Sequence, residues 1–224
     1  MEDLAAIDEG IDLIIVCDPA SPGGWNIQDG VMQELLLRAA KTGAFVILDE
    51  SFYHLSDAGE TDRAARLIGS YENLIIIRSL TKTLAIPGIR IGYAIGSGQR
   101  ISSLRERLPE WDLSIIGEAA VIAGMKVLCE SDFPAVSLSV IQRERKYLAD
   151  SLRATGLFVF ESNAPYLLFK GPKNLYQKLL ERGILIRDCR DYEGLGEGCF
   201  RVAVKMHKEN EKLIQNIENC VNID

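Results

Sequence analysis

The sequence lacks the features that would place it outside the cell or within a membrane. Its 224 residues hold no apolar run of membrane-spanning length. The opening stretch MEDLAAIDEG is acidic and has neither the basic nor the apolar region of a signal peptide. The five cysteines are scattered, and their spacing indicates neither a disulfide framework nor a metal site. We therefore expect a cytoplasmic protein that binds neither a membrane nor a metal ion.

The sequence also has fewer positively charged than negatively charged residues. Lys and Arg together number 25 against 32 Asp and Glu, and the formal net charge is -7. Proteins that bind nucleic acid usually carry a basic face, so nucleic acid is excluded as the main partner. No G-x-G-x-x-G motif follows the first apolar run, because PGGWN does not fit that spacing, and this disfavours a dinucleotide-binding domain.

Four apolar runs rich in β-branched residues occupy the first half. They are IDLIIVC (11–17), AFVILDE (44–50), NLIIIRS (73–79) and IRIGYAIG (89–96). Because they are continuously apolar rather than alternating, they predict strands buried on both faces of a mostly parallel sheet. Between the first three runs, apolar residues recur at helical spacing. This predicts the strand–helix–strand order of an α/β protein. Four strands make a small sheet, so we expect the N-terminal part of a larger fold to be absent.

The second half has a different pattern. Residues from about 99 to 155 are largely helical in character, and short strand-like and helical segments follow in an α+β arrangement. The segment CESDFP interrupts the helical pattern near 128–133. We therefore predict a partial large domain over residues 1–130 and a small α+β domain over residues 131–224.

The ends of three predicted strands carry residues that could bind a ligand or react with it. In an open α/β sheet, ligands bind beyond the carboxyl ends of the strands, and this edge receives Asp49, Ser79 and Lys82, with Arg90 following. Taken singly, these residues have plainer explanations: a helix cap, an exposed lysine or a salt bridge. Together they match one ligand with a cationic ring nitrogen, an aldehyde and a phosphate. Pyridoxal 5'-phosphate (PLP) has all three groups.

Five stretches carry a resemblance to a known family: CDPASPGG, ILDESFYHL, RSLTKTLAIPGIRIGYAIG, ILIRDC and FRVAV. In sequence, order and spacing they resemble the fold-type I PLP enzymes of the class I/II aminotransferase superfamily. The resemblance is to the branch of histidinol-phosphate aminotransferases and L-threonine-O-3-phosphate decarboxylases. It implies a PLP-transferase α/β fold with a truncated large domain and a C-terminal α+β small domain. It covers only the C-terminal portion of such an enzyme.

The resemblance also implies roles for the residues at the sheet edge. Lys82 would form the aldimine with PLP, and Asp49 would pair with the pyridinium nitrogen. Ser79 and Arg90 would hold the phosphate. Phe52 stands where most aminotransferases have a tyrosine that touches the phenolic oxygen of the ring.

Three further residues correspond to family positions. Ser21 replaces the asparagine that normally contacts the same phenolic oxygen. Arg201, in FRVAV, would bind the substrate carboxylate, and Arg187 would meet a distal phosphate. The N-terminal arm of the family, its Gly/Ser phosphate loop and the aromatic residue that stacks on the ring have no counterpart here.

The resemblance implies a PLP-dependent enzyme that transaminates or decarboxylates an amino acid or amino-acid phosphate. It implies a homodimer, or a complementing N-terminal chain that completes the fold. The missing parts keep an alternative open: a truncated, inactive paralogue, or the C-terminal part of a split PLP enzyme without activity of its own.

Overall fold

The computed structural model describes residues 7, 10–60 and 62–221. The chain divides into two compact units. The first comprises the described residues up to Ala20, with Asn26–His54 and Ala58–Pro134. The second comprises Ser21–Trp25, Leu55–Asp57 and the chain from Ala135 onward. None of the described helices is long and apolar enough to cross a membrane.

The first unit is built on a four-stranded sheet. Its strands are β1 (Leu13–Cys17), β2 (Phe45–Asp49), β3 (Leu74–Ser79) and β4 (Gly92–Gly96), and they lie in that order. The first three are parallel, whereas β4 is antiparallel to β3. The short link from β3 to β4 leaves no room for the crossover helix that a parallel return requires. The predicted, mostly parallel sheet is therefore confirmed.

Helices in the first unit fill the links between strands. They are α1 (Asp29–Thr42), α2 (Ala64–Ser70), α3 (Leu80–Thr83), α4 (Gly98–Arg105) and α5 (Ile115–Glu130). Helix α1 buries Met32, Leu35, Leu36 and Ala39, which share one face at helical spacing. It ends at Gly43, whose φ of 80° is a left-handed conformation that glycine adopts without steric cost.

The two faces of this sheet differ in burial. On one face Val46, Leu48 and Ile76 are fully buried in a core shared with α1 and α2. On the other face Leu13 is 49% exposed and Ile15 is 65% exposed. We call this second side the open face. The expectation that the strands are buried on both sides is therefore wrong for this chain, since the described residues leave much of one side uncovered.

The second unit is an antiparallel sheet with helices. Its strands β5 (Phe158–Val159), β6 (Tyr166–Lys170), β7 (Arg187–Asp188) and β8 (Cys199–Ala203) are ordered β5-β6-β8-β7. Its helices are α6 (Phe133–Ala154), which the division between the units crosses in its first turn, α7 (Leu175–Glu181) and α8 (His207–Val221). This is the α+β layout that the sequence predicts.

The core of the second unit lies between its sheet and its helices. Leu148 and Leu152 of α6 and Ile217 of α8 are fully buried there with Phe169 and Phe200 of the central strands. The two phenylalanine rings pack with centroids 5.8 Å apart. Two early chain segments also belong to this unit: Asn163 N donates to Gly24 O at 2.8 Å, and Arg145 pairs with Asp57 at 2.5 Å.

Candidate active site

Asp49 and Ser79 lie at the carboxyl ends of two adjacent parallel strands. Asp49 is the last residue of β2 and lies opposite Ile77 of β3, two residues before Ser79. Since side chains alternate along a strand, Asp49, Ile77 and Ser79 share the open face. The carboxylate of Asp49 accepts a hydrogen bond from the backbone N–H of Ser51 at 2.8 Å. The structure thus brings the predicted acid and hydroxyl to one edge of the sheet.

Cys17 of β1 lies opposite Asp49 at the same edge. Burial, and then the nearby charge of Asp49, raise the pKa of the Cys17 thiol. The thiol therefore stays protonated at neutral pH, and a protonated thiol is a poor nucleophile.

Lys82 lies one turn beyond Ser79. It belongs to the one-turn helix α3. Its Nζ lies 3.4 Å from Ser79 Oγ and 5.6 Å from the centroid of the Phe52 ring. The hydroxyls of Ser79 and Thr81 are 2.6 Å apart. A primary amine, two hydroxyls and an aromatic ring therefore lie close together. A ligand with an aldehyde and a phosphate needs groups of these kinds.

Arg90 is exposed, although apolar residues surround it in the sequence. Its NH1 donates to the carbonyl of Pro87 at 3.4 Å rather than to Ser79. The backbone around it is strained, because Arg90 has a φ of 54° and Ala85 a φ of 53°. Non-glycine residues in this region cost about 1–3 kcal/mol and cluster at functional sites. The strain marks the link between β3 and β4 as a segment held for a purpose other than stability.

A second cluster lies in the second unit. Arg187 of β7 lies directly opposite Arg201 of β8. Like charges in this position destabilise a sheet unless an anion lies between them or near them. Arg201 donates from NH1 to Ser21 Oγ at 2.8 Å, and its guanidinium lies 5.1 Å from the centroid of the Tyr166 ring. Ser21 is therefore bound to the predicted carboxylate-binding arginine.

Arg187 is held by a neighbouring acid. Its NH2 lies 2.5 Å from Asp191 Oδ2, and its guanidinium lies 5.8 Å from the centroid of the Tyr192 ring. Both members of the ion pair are about half exposed. An incoming anion would compete with Asp191 for this guanidinium, and exposed pairs of this kind contribute little to stability.

Sequence analysis missed a buried ionic network in the first unit. It consists of Asp18, Glu50, Asp62, Arg63 and Arg78, and we call it the ionic network. All but Asp62 are at most 7% exposed. Glu50 directly follows Asp49, and Arg78 directly precedes Ser79. The sequence holds one signal for this network: a charged residue at the end of the apolar run FVILDE, and another next to the end of IIIRS.

The network is held by direct hydrogen bonds. Arg78 donates from Nε and NH2 to Glu50 Oε2 at 2.9 and 2.8 Å. Arg63 donates from Nε to Glu50 Oε1 at 3.0 Å and from NH2 to Asp18 Oδ2. Arg78 also donates to both carboxylate oxygens of Asp62, at 2.9 and 2.8 Å. The Tyr53 ring lies beneath Arg63, with the guanidinium carbon 4.7 Å from its centroid.

The network shifts the ionisation of its members. Burial alone would lower the pKa of Arg78, but its hydrogen bonds to Asp62 and Glu50 outweigh this and raise it. The hydrogen bond from Arg78 in turn lowers the pKa of Asp62 well below its ordinary range. Asp62, Arg63 and Arg78 are therefore charged at neutral pH.

Comparisons with known proteins agree with this arrangement. The sequence model of the family described as aminotransferase class I and II matches residues 1–217. A histidinol-phosphate aminotransferase of Methanosphaera stadtmanae is 30% identical over 223 residues, which is 96% of this chain and 58% of that protein. The chain thus spans less than two thirds of that relative's length.

Solved structures extend the comparison. The histidinol-phosphate aminotransferase of Clostridium acetobutylicum superposes with a TM-score of 0.89 at 28% identity, over 99% of this chain and 67% of that one. A decarboxylase of Sulfurospirillum multivorans superposes with a TM-score of 0.82 at 26% identity, over 95% of this chain and 62% of that one. By its sequence, its α/β fold and its structural neighbours, the chain belongs to the class I and II aminotransferase family.

Proposed function

We propose that the chain carries the cofactor lysine and the substrate-binding arginines of a PLP-dependent enzyme. Its substrate is an amino acid or amino-acid phosphate, and its reaction is transamination or decarboxylation. The observation that carries the proposal is the position of Lys82 Nζ, 3.4 Å from Ser79 Oγ, at the sheet edge that also holds Asp49.

The side chains at this edge fit PLP by their chemistry. Asp49 would pair with the ring nitrogen, and Lys82 would hold the aldehyde. Ser79 and Arg90 would hold the phosphate, with the strained backbone at Arg90 fixing its approach. Phe52, whose ring lies 5.6 Å from Lys82 Nζ, would border the cofactor. When bound, PLP supplies an electron sink for the bond that is broken.

Lys82 has two tasks in this proposal. Its amine would hold the aldehyde of the cofactor through a carbon–nitrogen bond, with release of one water molecule. Once a substrate amine had taken its place, Nζ would be available to move a proton to or from the substrate carbon. Asp49 would hold a proton on the ring nitrogen.

The second unit would bind the acidic groups of the substrate. Arg201 would bind the carboxylate through a bidentate contact, and its bond to Ser21 keeps the guanidinium oriented. Arg187, on the neighbouring strand, would bind a second anionic group such as a phosphate. Binding there requires that Asp191 release Arg187.

The open face supports a partner in this function. Strands β1 and β4 lie at the two edges of the first sheet, and Leu13 and Ile15 are exposed on its open face. Exposed apolar surface of this kind marks an interface. A homodimer or a complementing chain would cover it. The uncovered surface favours the second candidate function as well, namely the C-terminal part of a split PLP enzyme.

Titration with PLP tests the proposal. Addition of PLP to the purified protein should give a visible absorbance band that the Lys82→Ala variant does not give. Lys41→Ala, which removes an exposed lysine from the end of α1, is the matched control and should keep the band. A wild-type protein that stays colourless at high PLP would exclude cofactor binding by this chain alone.

A further inference from the structure

We propose that the ionic network is a positioning device for the cofactor site, and that Glu50 and Arg78 are its central residues. They would act by fixing the ends of β2 and β3, and thereby the relative positions of Asp49, Ser79 and Lys82. The inference rests on the proposed function and extends it, since neither Glu50 nor Arg78 is placed to touch the ligand.

The alternation of side chains separates the network from the site. Asp49 and Ser79 belong to the open face, so Glu50 and Arg78, their immediate neighbours, belong to the covered one. Glu50 and Arg78 are 1% and 3% exposed, respectively. A group on the covered side can influence the ligand only through the backbone that it shares with the site residues. The backbone is anchored at that point, because Glu50 N donates to Ile77 O at 2.8 Å.

Glu50 links separate segments of the first unit. One carboxylate oxygen accepts from Arg63 and the other from Arg78, so Glu50 bridges two guanidinium groups. Arg63 continues to Asp18, which directly follows β1. Through these bonds the carboxyl ends of β1, β2 and β3 are tied together beside the proposed cofactor site.

Asp18 is in turn held from its other side. Its Oδ1 accepts from Asn26 Nδ2 at 2.8 Å and from the backbone N–H of Ile27 at 3.1 Å. Every carboxylate of the network therefore has at least two donors. A buried polar network that is fully satisfied is rigid, and that rigidity is what a site with a covalent cofactor needs.

The charges of the network do not cancel. Formally, three carboxylates face two guanidinium groups. Loss of the Glu50 charge leaves Arg63 with Asp18 and Arg78 with Asp62, so the link from the end of β2 to both arginines is weakened. The end of β2, and Asp49 with it, would then shift relative to Ser79.

The Glu50→Gln variant tests the inference, because glutamine keeps the shape and removes the charge. Its PLP dissociation constant, measured by absorbance, should rise about tenfold or more, because small displacements of the site residues weaken their contacts with the ligand. The pH midpoint of the visible band should shift, because Asp49 moves with the end of β2 and its distance to the ring nitrogen changes. Amide NMR shifts without PLP should change most at Ser79, Thr81 and Lys82.

Asp29→Asn is the matched control, since it neutralises an acid in an exposed ion pair with Arg66 elsewhere in the first unit. It should leave the dissociation constant, the pH midpoint and the site amide shifts unchanged. If wild type binds PLP and folded Glu50→Gln binds it equally well with the same pH midpoint, the positioning role is wrong and the proposed function stands. If wild type does not bind PLP, the proposed function fails and the inference fails with it. A variant that binds weakly with unchanged amide shifts at Ser79 and Lys82 would also contradict positioning.

Discussion

At the scale of single residues, Glu50 joins two buried ion pairs of the first unit. Its carboxylate is fully buried and pairs with Arg63 and Arg78, whose side chains are 6% and 4% exposed. Removing one partner of a buried ion pair leaves the other charge without compensation. The stability of the first unit therefore depends on a residue that sequence reasoning alone treats as the end of a strand.

We expect Glu50→Ala to lower the free energy of unfolding by about 3–5 kcal/mol, as broken buried pairs do. Denaturant unfolding followed by circular dichroism measures this change. Asp29→Ala, which breaks an exposed pair, should cost no more than about 1 kcal/mol. A loss for Glu50→Ala as small as that of the control would show that the network does not hold the strand ends.

Asp62 makes part of that stability dependent on pH. Its hydrogen bond from Arg78 comes first among the causes that lower its pKa below the ordinary value of 3.8. The ionised form of Asp62 is therefore more strongly favoured over the protonated form in the folded state than in the unfolded state. The resulting stability is fully present above pH 3.8 and is lost as the pH falls below it.

We therefore expect the free energy of unfolding of wild type to fall more steeply between pH 5 and pH 3 than that of Asp62→Asn. Urea unfolding at a series of pH values measures both slopes. The variant should be less stable at pH 7, and the two curves should converge as the pH falls. Curves that stay parallel would mean that Asp62 is no better paired in the folded than in the unfolded chain.

At the scale of elements, the link from β3 to β4 combines a one-turn helix, a 3₁₀ turn at Pro87–Ile89 and two left-handed residues, Ala85 and Arg90. The backbone N–H of Ala85 donates to Lys82 O at 3.1 Å, but an L-residue in this conformation still costs about 1–2 kcal/mol. Such an arrangement is kept where position matters more than stability.

Ala85→Gly should relieve this strain and raise the free energy of unfolding by about 0.5–1 kcal/mol, after the greater entropy of the unfolded chain with glycine is counted. The midpoint of urea unfolding measures the gain. Ala119→Gly, in the middle of α5, is the control and should lower stability by about 1 kcal/mol. Equal losses in both variants would show that Ala85 is not strained.

Sequence patterns located the strands because burial has a clear compositional signal. The runs at 11–17, 44–50 and 73–79 contain β1, β2 and β3, and the strand-end rule predicted that Asp49 and Ser79 meet at one edge. ILIRDC was less well predicted, since only Arg187–Asp188 pairs, on a sheet edge with one neighbour.

The ionic network could not be predicted in the same way. Its bonds join residues far apart in sequence, 45 positions for Arg63 and Asp18 and 28 for Arg78 and Glu50. Local spacing carries no record of such pairs. Tyr53 illustrates the same limit: on a continued strand it would point away from Phe52, but it lies in a 3₁₀ turn and is buried under Arg63.

At the scale of the whole molecule, the two units carry different residues of the proposed function. The first contains the lysine, the acid and the hydroxyl of the proposed cofactor site, and the second contains the paired arginines of the proposed substrate site. The chain spans 58% of the length of the Methanosphaera stadtmanae relative. The open face is the surface that we propose for contact with a partner chain.

The central claim is that Lys82 holds PLP, and peptide mapping tests it most directly. The protein is incubated with PLP, reduced with borohydride, digested and analysed by mass spectrometry. The account predicts one phosphopyridoxyl group, attached to the peptide that contains Lys82. A label spread over exposed lysines such as Lys41 and Lys146, with Lys82 unmodified, would contradict it.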